Sequence, residues 1–349
     1  IPKEICICHA NHIYRIEHGS FFYICIMLNV DEIMSPVKFE LNKFESHFEN
    51  ALKSNVPLLD KVTHYIVKRK GKQMRPMFVF LTSKMLGEIN ETTYNAASLV
   101  ELLHTATLVH DDVVDDANER RGFFSINALW KNKIAVLVGD YMLSKILLLS
   151  LEKQNTELLA VVARAVKEMS EGELLQIEKS RTLDINEEEY FEVIRKKTAS
   201  LISTCCEAGA ISVNASDQRD NMRLFGEKVG LAFQIKDDIF DYGTPDKIGK
   251  PTGIDIREQK LTLPLIYTLK NSPPKVQKEL KKIVRNYNED ALKVKRATQL
   301  VIEHGGIAYS YDLMHKLALE AKELLLTYPK SEARTSLLGL VDYTMNREK

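Results

Sequence analysis

The chain has 349 residues, of which 45% are hydrophobic, and its 48 Lys and Arg residues balance 48 Asp and Glu residues exactly in number, so the formal net charge is zero. This length and apolar content can supply a substantial core. The absence of a global basic field excludes nucleic acid as an expected partner. No apolar run reaches the roughly 18 residues of a membrane span, because the best candidate, 134–151, contains Asp140 and Lys145. Five cysteines without a framework pattern favour a reducing, cytoplasmic location.

Residues 1–33 differ from the rest of the chain. They hold three of the five cysteines and a short apolar run at 21–28 that has no helical period. They also lack the basic region, apolar run and small-residue cleavage site of a signal peptide. We interpret 1–33 as an atypical N-terminal segment, with the hypothesis that it is artefactual; finding it in the intact mass of natively expressed protein would contradict this. Residues 34–349 are expected to form one domain.

From Val37 onward, apolar residues recur with a period near 3.6, and Gly, Pro, Asn and Ser mark the joints,. Asn186 and Glu189 form the pattern of a capping box,. No segment alternates as a strand would. The predicted helices are 38–54, 57–69, 75–87, 91–116, 125–131, 134–152, 156–179, 187–213, 217–242, 258–271, 274–286, 289–304, 306–327 and 331–345. Short joints between apolar stripes predict an all-α fold, a single large helical bundle.

The first acidic motif lies in the sequence LHTATLVHDDVVDDANERRG, residues 103–122, and contains Asp111, Asp112 and Asp115. At about 100° per helical residue, Asp111 and Asp115 lie roughly 40° apart and Asp112 and Asp115 roughly 60°, so the three carboxylates are expected to point one way. Like charges this close raise one another's pKa or attract a cation, and carboxylate oxygens suit Mg²⁺. An isolated motif of this kind is also typical of a solvated acidic helix face.

A second motif repeats the spacing. The sequence FQIKDDIFD at 233–241 contains Asp237, Asp238 and Asp241, with Gln234 one turn earlier on the same face. Two acidic motifs on separate apolar helices predict a pocket for several metal ions rather than two accidental charge clusters.

Basic residues accompany the first motif. Lys72 and Arg75 lie at a turn between two predicted helices, where backbone N–H groups are also free,. Arg120 and Arg121 follow the motif and offer forked donors for phosphate. His104 lies two turns before the motif on nearly the same face. The alternatives are a solvated basic turn and an ordinary core histidine.

Two further segments could contact phosphate. Lys197 and Thr198 interrupt an apolar helix with an ammonium and a hydroxyl. The segment 243–260 is rich in Gly and carries Lys250 and Lys260. It could be a lid that closes over phosphates and excludes water, or only a long surface loop.

Taken together, these residues resemble the trans-isoprenyl diphosphate synthases, most of all their long-chain polyprenyl branch. The resemblance extends from about residue 39 to the C-terminal helices. It rests on GKQMRP at 71–76, HDDVVDDANERRG at 110–122, GDYML at 139–143, EGELLQ at 171–176, KTASL at 197–201, FQIKDDIFDYG at 233–243, GKPTGID at 249–255 and KLTLPL at 260–265. Gln73 departs from the pattern, where the family often has a basic residue.

The resemblance implies the isoprenoid synthase type of bundle with a central cavity, a polyprenyl synthetase domain over 34–349, a homodimer, and three Mg²⁺ ions held with substrate diphosphate. The metal-binding residues it implies are Asp111, Asp112, Asp115, Asp237, Asp238 and Asp241. The first five of these, with Lys197, would be catalytic.

It further implies two substrates, isopentenyl diphosphate and an allylic diphosphate. The allylic diphosphate would be bound by Arg120, Lys197, Thr198, Gln234, Lys250 and Lys260, and isopentenyl diphosphate by Lys72, Arg75, His104 and Arg121. Metals and fixed cations would neutralise the leaving diphosphate in a water-poor cavity. The double bond of isopentenyl diphosphate would then attack the allylic carbocation, so no protein nucleophile is needed.

Product length should depend on the residues below the first motif. Thr107 lies one turn down on the carboxylate side, Leu103 is expected to form a wall, and the resemblance adds Ala106 as a position where an aromatic would block the chain. No aromatic occurs between Val100 and Val109. An open tunnel predicts a long product, with transient membrane contact at its release.

Three alternatives remain. A farnesyl or geranylgeranyl diphosphate synthase would share the chemistry but make a shorter product. A terpene cyclase would need no second substrate, which Lys72, Arg75 and Arg121 argue against. A non-catalytic diphosphate-binding subunit would be expected to have lost an acidic motif, and both are intact.

Overall fold

The structure, a computed structural model, describes residues 17–18, 21–22, 28–68, 73–120, 123–182, 185–243 and 253–347. Its helices are α1 (Val30–Met34), α2 (Lys38–Leu52), α3 (Pro57–Val67), α4 (Met74–Leu86), α5 (Glu91–Val114), α6 (Ile126–Glu152), α7 (Thr156–Thr182), α8 (Glu187–Ile194), α9 (Ser200–Ser212), α10 (Arg219–Phe240), α11 (Ile254–Arg257), α12 (Leu263–Asn271), α13 (Pro274–Asn286), α14 (Ala291–Glu303), α15 (Gly306–Leu326) and α16 (Glu332–Asn346). The prediction of an all-α bundle is confirmed.

Strands are confined, within these ranges, to two antiparallel pairs of two residues each. They are β1 (Glu17–His18) with β2 (Phe21–Phe22), and β3 (Glu119–Arg120) with β4 (Phe123–Phe124). The second pair follows the first acidic motif directly and was not predicted, because strands this short leave no alternating pattern in the sequence.

The helices α5 and α10, which carry the two acidic motifs, occupy the interior of the bundle. α5 packs against α4, α6 and α9, while α10 packs against α9 and α15. Local sequence fixes where the helices begin: Asn90 caps α5, and the predicted Asn186–Glu189 capping box is present at α8. Each such cap satisfies backbone N–H groups that a helix start leaves unpaired.

The last residues of the predicted N-terminal segment pack on the bundle. Asn29 forms a capping box with Glu32 at the start of α1, and Ile33 is fully buried. Leu28 and Ile33 pack against Gly339 of α16. Residues 28–33 therefore pack on the helical body, while the domain boundary after residue 33 stays a prediction.

Two predicted helices differ clearly from the observed ones. The prediction of one helix over 187–213 missed a single π-helical turn, Arg195–Ala199, between α8 and α9. The prediction over 258–271 began too early, since α12 starts at Leu263. The helices predicted at 125–131 and 134–152 together cover α6, and the break predicted between them corresponds to a kink at Lys131, whose φ is 72°.

Two glycines allow neighbouring helices to approach the π-helical turn. A Cβ on Gly172 of α7 would lie 2.7 Å from the backbone N of Lys197, and one on Gly230 of α10 would lie 2.5 Å from Cα of Ala199. Both distances are well inside van der Waals contact. The turn is therefore held between α7 and α10 by direct backbone packing.

The helix α6 presents an apolar outer face. Its inner side, including Val138 and Met142, is buried, whereas Leu137, Leu148 and Leu151 are at least half exposed. By length and composition alone, α6 is the one helix in the described part of the chain that could cross a membrane, and one third of its apolar window is buried in the bundle. An exposed apolar face of this kind is typical of a surface that contacts another protein or a membrane.

Candidate functional site

Both acidic motifs lie at the C-terminal ends of their helices. Asp111 and Asp112 are in the last turn of α5, and Asp115 is the residue that ends it. Asp237 and Asp238 are likewise in the last turn of α10, and Asp241 ends that helix. A helix C-terminus carries a partial negative charge from its unpaired carbonyls. Carboxylates placed there repel that charge and attract cations.

Two adjoining cavities lie between these helix ends. The smaller, about 160 Å³, contains Asp238, Asp255, Tyr190 and Lys260 in its wall. The larger, about 410 Å³, is lined by Asp111, Arg75, His104, Thr107, Leu108, His110, Val114, Met169, Ser170, Glu173, Leu174, Ile177, Lys197, Thr198 and Leu201. Lys197 and Thr198 line both cavities. The predicted central cavity is thus present as two compartments with a shared wall.

The shared wall is the π-helical turn. Lys197 Nζ donates a hydrogen bond to Gln176 Oε1 at 2.7 Å and forms an ion pair with Glu173. Thr198 Oγ1 donates to Gln234 Oε1 at 2.7 Å. π-Helical turns are rare and often occur at functional sites. Here the turn brings an ammonium and a hydroxyl to the same cavity wall.

Asp238 is the most deeply buried carboxylate of the second motif. Its Oδ2 accepts a hydrogen bond from Tyr190 Oη at 2.6 Å, and its Oδ1 accepts one from Gln234 Nε2 at 2.9 Å. Burial is the main cause that raises the pKa of Asp238 to about 7. The charge of Asp237 also raises this pKa, whereas the two hydrogen bonds lower it. The folded protein therefore favours a neutral or metal-bound Asp238.

Asp241 has a structural partner of its own. Its two carboxylate oxygens accept the backbone N–H groups of Ile254 at 2.9 Å and Asp255 at 3.0 Å. Burial raises the pKa of Asp241, although these backbone donors oppose the increase. In this conformation Asp241 ties the end of α10 to α11, and its predicted role as a metal ligand stays a prediction.

The first motif acts electrostatically on the wall of the smaller cavity. Burial acts to lower the pKa of Lys260, but Glu258, Asp255 and Asp115 raise it more in total. Lys260 Nζ lies 2.6 Å from Glu258 Oε2. Asp115 of the first motif therefore raises the pKa of Lys260, which lines the same cavity as Asp238 of the second motif.

The residues of the first motif border more than one space. Asp111 lines the 410 Å³ cavity. Asp112 is buried and lines a separate cavity of about 100 Å³, together with Phe123 and Phe124 of β4. The backbone carbonyl of Asp112 accepts a hydrogen bond from Asn127. The expectation that all three carboxylates point one way stays a prediction.

Asp237 forms an ion pair with Arg347, which follows the last helix α16. The sequence did not point to this contact, since 110 residues separate the two.

The donors suit a hard cation. Among the residues described, no three His, Cys, Asp or Glu side chains converge closely enough to hold a metal ion by themselves. Magnesium commonly takes only one or two carboxylates and completes its shell with water and substrate phosphate. His110, next to the first motif, is directed to α6, where its Nε2 lies 3.5 Å from Asp140 Oδ1. Asp111 and Asp238 with their neighbours thus fit Mg²⁺ bound together with a phosphate ligand.

Of the other predicted site residues, some line the larger cavity, some are buried outside its wall and some are not described. Arg75, His104 and Thr107 line the 410 Å³ cavity as expected. Leu103 and Ala106 are fully buried and do not appear in its wall. Arg120 lies in β3, and its side chain is not among those described. Lys72, Arg121 and Lys250 fall outside the described residues.

Several site residues were not predicted from the sequence, although three of them lay in motifs already noted. Tyr190, Asp255, Glu173, Gln176 and Arg347 all contact predicted site residues or share their cavities. Burial raises the pKa of Asp255 well above its usual range, with Asp238 and Asp241 adding to the increase. Glu173 and Gln176 belong to EGELLQ and Asp255 to GKPTGID. Tyr190 and Arg347 carried no signal beyond a polar residue in a helical pattern.

Comparison with known proteins gives consistent matches over nearly the whole chain. A family model described as polyprenyl synthetase matches residues 56–301. The heptaprenyl diphosphate synthase component 2 of Bacillus subtilis is 34% identical over 92% of this chain and 94% of that protein. An all-trans-nonaprenyl-diphosphate synthase (geranyl-diphosphate specific) of Rhodobacter capsulatus is 33% identical over 90% of this chain and 97% of that protein.

A solved structure also matches this chain over nearly its whole length. A polyprenyl synthase of Caulobacter crescentus, crystallised with calcium and isoprenyl diphosphate, superimposes with a TM-score of 0.85 at 31% identity. The match covers 93% of this chain and 99% of that one.

The raised pKa of Asp238 predicts a pH-dependent stability. Because its folded pKa of about 7 lies above the ordinary value of 3.8, the folded state holds the proton more tightly between those values. Its contribution to stability should be complete below about pH 4 and lost as the pH rises through 7. We therefore compare the free energies of unfolding of Asp238→Asn and wild type in EDTA. Their difference should shift in favour of the variant by a few kcal/mol as the pH rises from 5 to 8.

Urea unfolding at pH 5, 6, 7 and 8 measures this difference. The exposed Asp312→Asn on α15 is the matched control and should run parallel to wild type. Parallel curves for Asp238→Asn and wild type would contradict the prediction.

Proposed function

Because this chain belongs to the polyprenyl synthetase family, whose model spans residues 56–301, we propose that it is a prenyltransferase that joins isopentenyl diphosphate to an allylic diphosphate. Repeated condensation would build a long trans-polyprenyl diphosphate. The observation that carries this proposal is the pair of acidic helix ends facing a shared wall of Lys197 and Thr198.

The allylic diphosphate would bind where the two cavities meet. Lys197, Thr198 and Lys260 are the donors nearest to both motifs, and Gln234 holds Thr198 and Asp238 in position. Bound Mg²⁺ would supply charge neutralisation for the departing diphosphate. Asp111, Asp115, Asp237 and Asp238 would hold it, while the roles of Asp112, Asp241, Arg120 and Lys250 remain predictions.

Isopentenyl diphosphate would occupy the larger cavity. Arg75 and His104 lie in its wall beside Asp111, and a guanidinium offers paired donors to phosphate oxygens. Lys72 and Arg121 are predicted to join them. This arrangement puts two diphosphate groups on either side of Lys197, with the second substrate's double bond near the first substrate's reactive carbon. Proximity of this kind is a large part of catalysis for a reaction without a protein nucleophile.

The apolar part of the larger cavity supports a long product. Leu108, Met169, Leu174, Ile177 and Leu201 form its lining. None of these side chains is an aromatic ring that would close the space. The names of the two relatives, which specify heptaprenyl and nonaprenyl products, support the same proposal.

A homodimer is proposed from α6. The exposed face that includes Leu137, Leu148 and Leu151 is too apolar for an isolated surface. A second copy of the chain would bury it without any membrane, which agrees with a cytoplasmic protein that touches lipid only when its product leaves.

The reaction itself is tested with purified protein, Mg²⁺, labelled isopentenyl diphosphate and, in parallel, dimethylallyl, geranyl, farnesyl or geranylgeranyl diphosphate. Chromatography of the dephosphorylated products should show chains longer than geranylgeraniol, and EDTA should abolish them. Asp111→Ala and Asp237→Ala should each lower the rate by about 100-fold or more, with circular dichroism as the check on folding.

Full activity of either folded variant would contradict the proposal. Farnesol or geranylgeraniol alone would keep the chemistry and reject the long product. Metal-dependent diphosphate binding without turnover would favour the non-catalytic subunit, or a need for a second component such as the B. subtilis relative's name indicates.

Chain length can be tested at the cavity wall. Thr107→Phe should shift the products towards shorter chains, because Thr107 lines the larger cavity one turn from Asp111. Ala106→Phe tests the position that the family resemblance assigns. Shorter products from a folded Ala106→Phe protein would support that assignment, whereas unchanged products from Thr107→Phe would contradict the placement of the growing chain.

The dimer is tested by light scattering in detergent-free buffer. Wild type should have the mass of two chains. Leu148→Glu, on the exposed face of α6, should give one chain, while Leu292→Glu, an exposed leucine on α14, should leave the dimer intact. A wild-type monomer would contradict the proposal.

A further inference from the structure

Arg347, which follows the last helix α16, reaches into the second acidic motif. Its Nη2 donates to Asp237 Oδ1 and lies 3.5 Å from the backbone carbonyl of Phe233. Its guanidinium lies 3.9 Å from the ring centroid of Phe233 and 5.5 Å from that of Phe240. The side chain is only 15% exposed. Arg347 is therefore docked in a defined position against α10.

The contact is explained by the charges around Asp237. This carboxylate lies at the negative end of α10, next to a second carboxyl group, that of Asp238,. A partly buried carboxylate in such a place needs a positive partner. An arginine supplies a charge that does not titrate, together with N–H groups directed at a carboxylate oxygen.

The contact is not required to hold the last helix in place. α16 is already attached by the ion pair of Asp342 with Lys322 and, at its first turn, by the hydrogen bond from Arg334 to the carbonyl of Tyr328. It also packs against α4, α10 and α15. The contact of Arg347 therefore mainly affects the surroundings of Asp237.

We propose that Arg347 is an internal counter-ion of Asp237 that must be displaced before a divalent cation binds with diphosphate. This inference rests on the proposed function. The guanidinium pairs with one oxygen of the Asp237 carboxylate, so a metal ion that binds the same carboxylate is opposed by the charge of the arginine. Its displacement is sterically open, because Arg347 lines a cavity of about 750 Å³ between α10, α15 and α16.

The inference predicts two effects of opposite sign. Removing the guanidinium should weaken the metal-free protein, since Asp237 then lacks this cation. The same change should strengthen metal binding, since no internal cation has to leave. A merely structural arginine would lower stability and would not improve metal affinity.

Isothermal titration of Mg²⁺ into protein with methylenediphosphonate, a non-reacting diphosphate, measures the second effect. Arg347→Gln should lower the Kd for Mg²⁺ by about three- to tenfold, while its melting temperature in EDTA falls below that of wild type. Arg347→Lys keeps the charge and should stay close to wild type in Kd. Arg334→Gln, on the same helix but away from the site, should lose stability without a change in Kd.

An unchanged or raised Kd in Arg347→Gln would overturn the inference, as would Arg347→Lys behaving like Arg347→Gln. If wild type showed no metal-dependent binding of the diphosphonate, the proposed function would fail and the inference with it. Normal wild-type binding with equal Kd values in the variants would overturn the inference alone.

Discussion

The site depends on one electrostatic constraint: both acidic motifs are at the C-terminal ends of their helices. Backbone carbonyls at such an end already carry negative charge, and Asp111 and Asp237 add to it where water is partly excluded. The fold cannot keep such groups charged without cations. The buried Asp238, with its pKa raised to about 7, is the part of the site where no sufficient cation is at hand. A pocket of this kind favours a ligand that brings metal ions with it.

The same constraint explains the ion pairs within the site. Lys197 contacts Glu173, Lys260 contacts Glu258, and Asp237 contacts Arg347. These three charged groups, which are proposed to bind metal or diphosphate, thus each have a partner of opposite sign from their own chain. Removing one member of such a pair would leave an uncompensated charge, which costs more than the pair itself contributes. Binding of a metal diphosphate then becomes an exchange of ion pairs, which limits the net cost of desolvation.

The sequence predicted what repeats locally and missed what depends on distant contacts. Helical period, capping residues and the spacing of the carboxylates are local, so the bundle and the two motifs were recognisable. The surroundings of Asp112 depend on contacts of the second kind, because α5 ends two residues later and the β3–β4 hairpin packs beside it. Tyr190 and Arg347 reach their partners over 48 and 110 residues. No pattern along the chain records such contacts.

The π-helical turn shows how a local irregularity serves the whole site. On a regular α-helix, neighbouring side chains point about 100° apart, so an ammonium and a hydroxyl at successive positions would face different surroundings. The wider turn at Arg195–Ala199 lets Lys197 and Thr198 line the same two cavities. Its poorer hydrogen-bond geometry has to be offset by packing, which the close approach of Gly172 and Gly230 provides. The glycines of two neighbouring helices therefore control the position of Lys197 and Thr198, since a side chain at either glycine would move the turn.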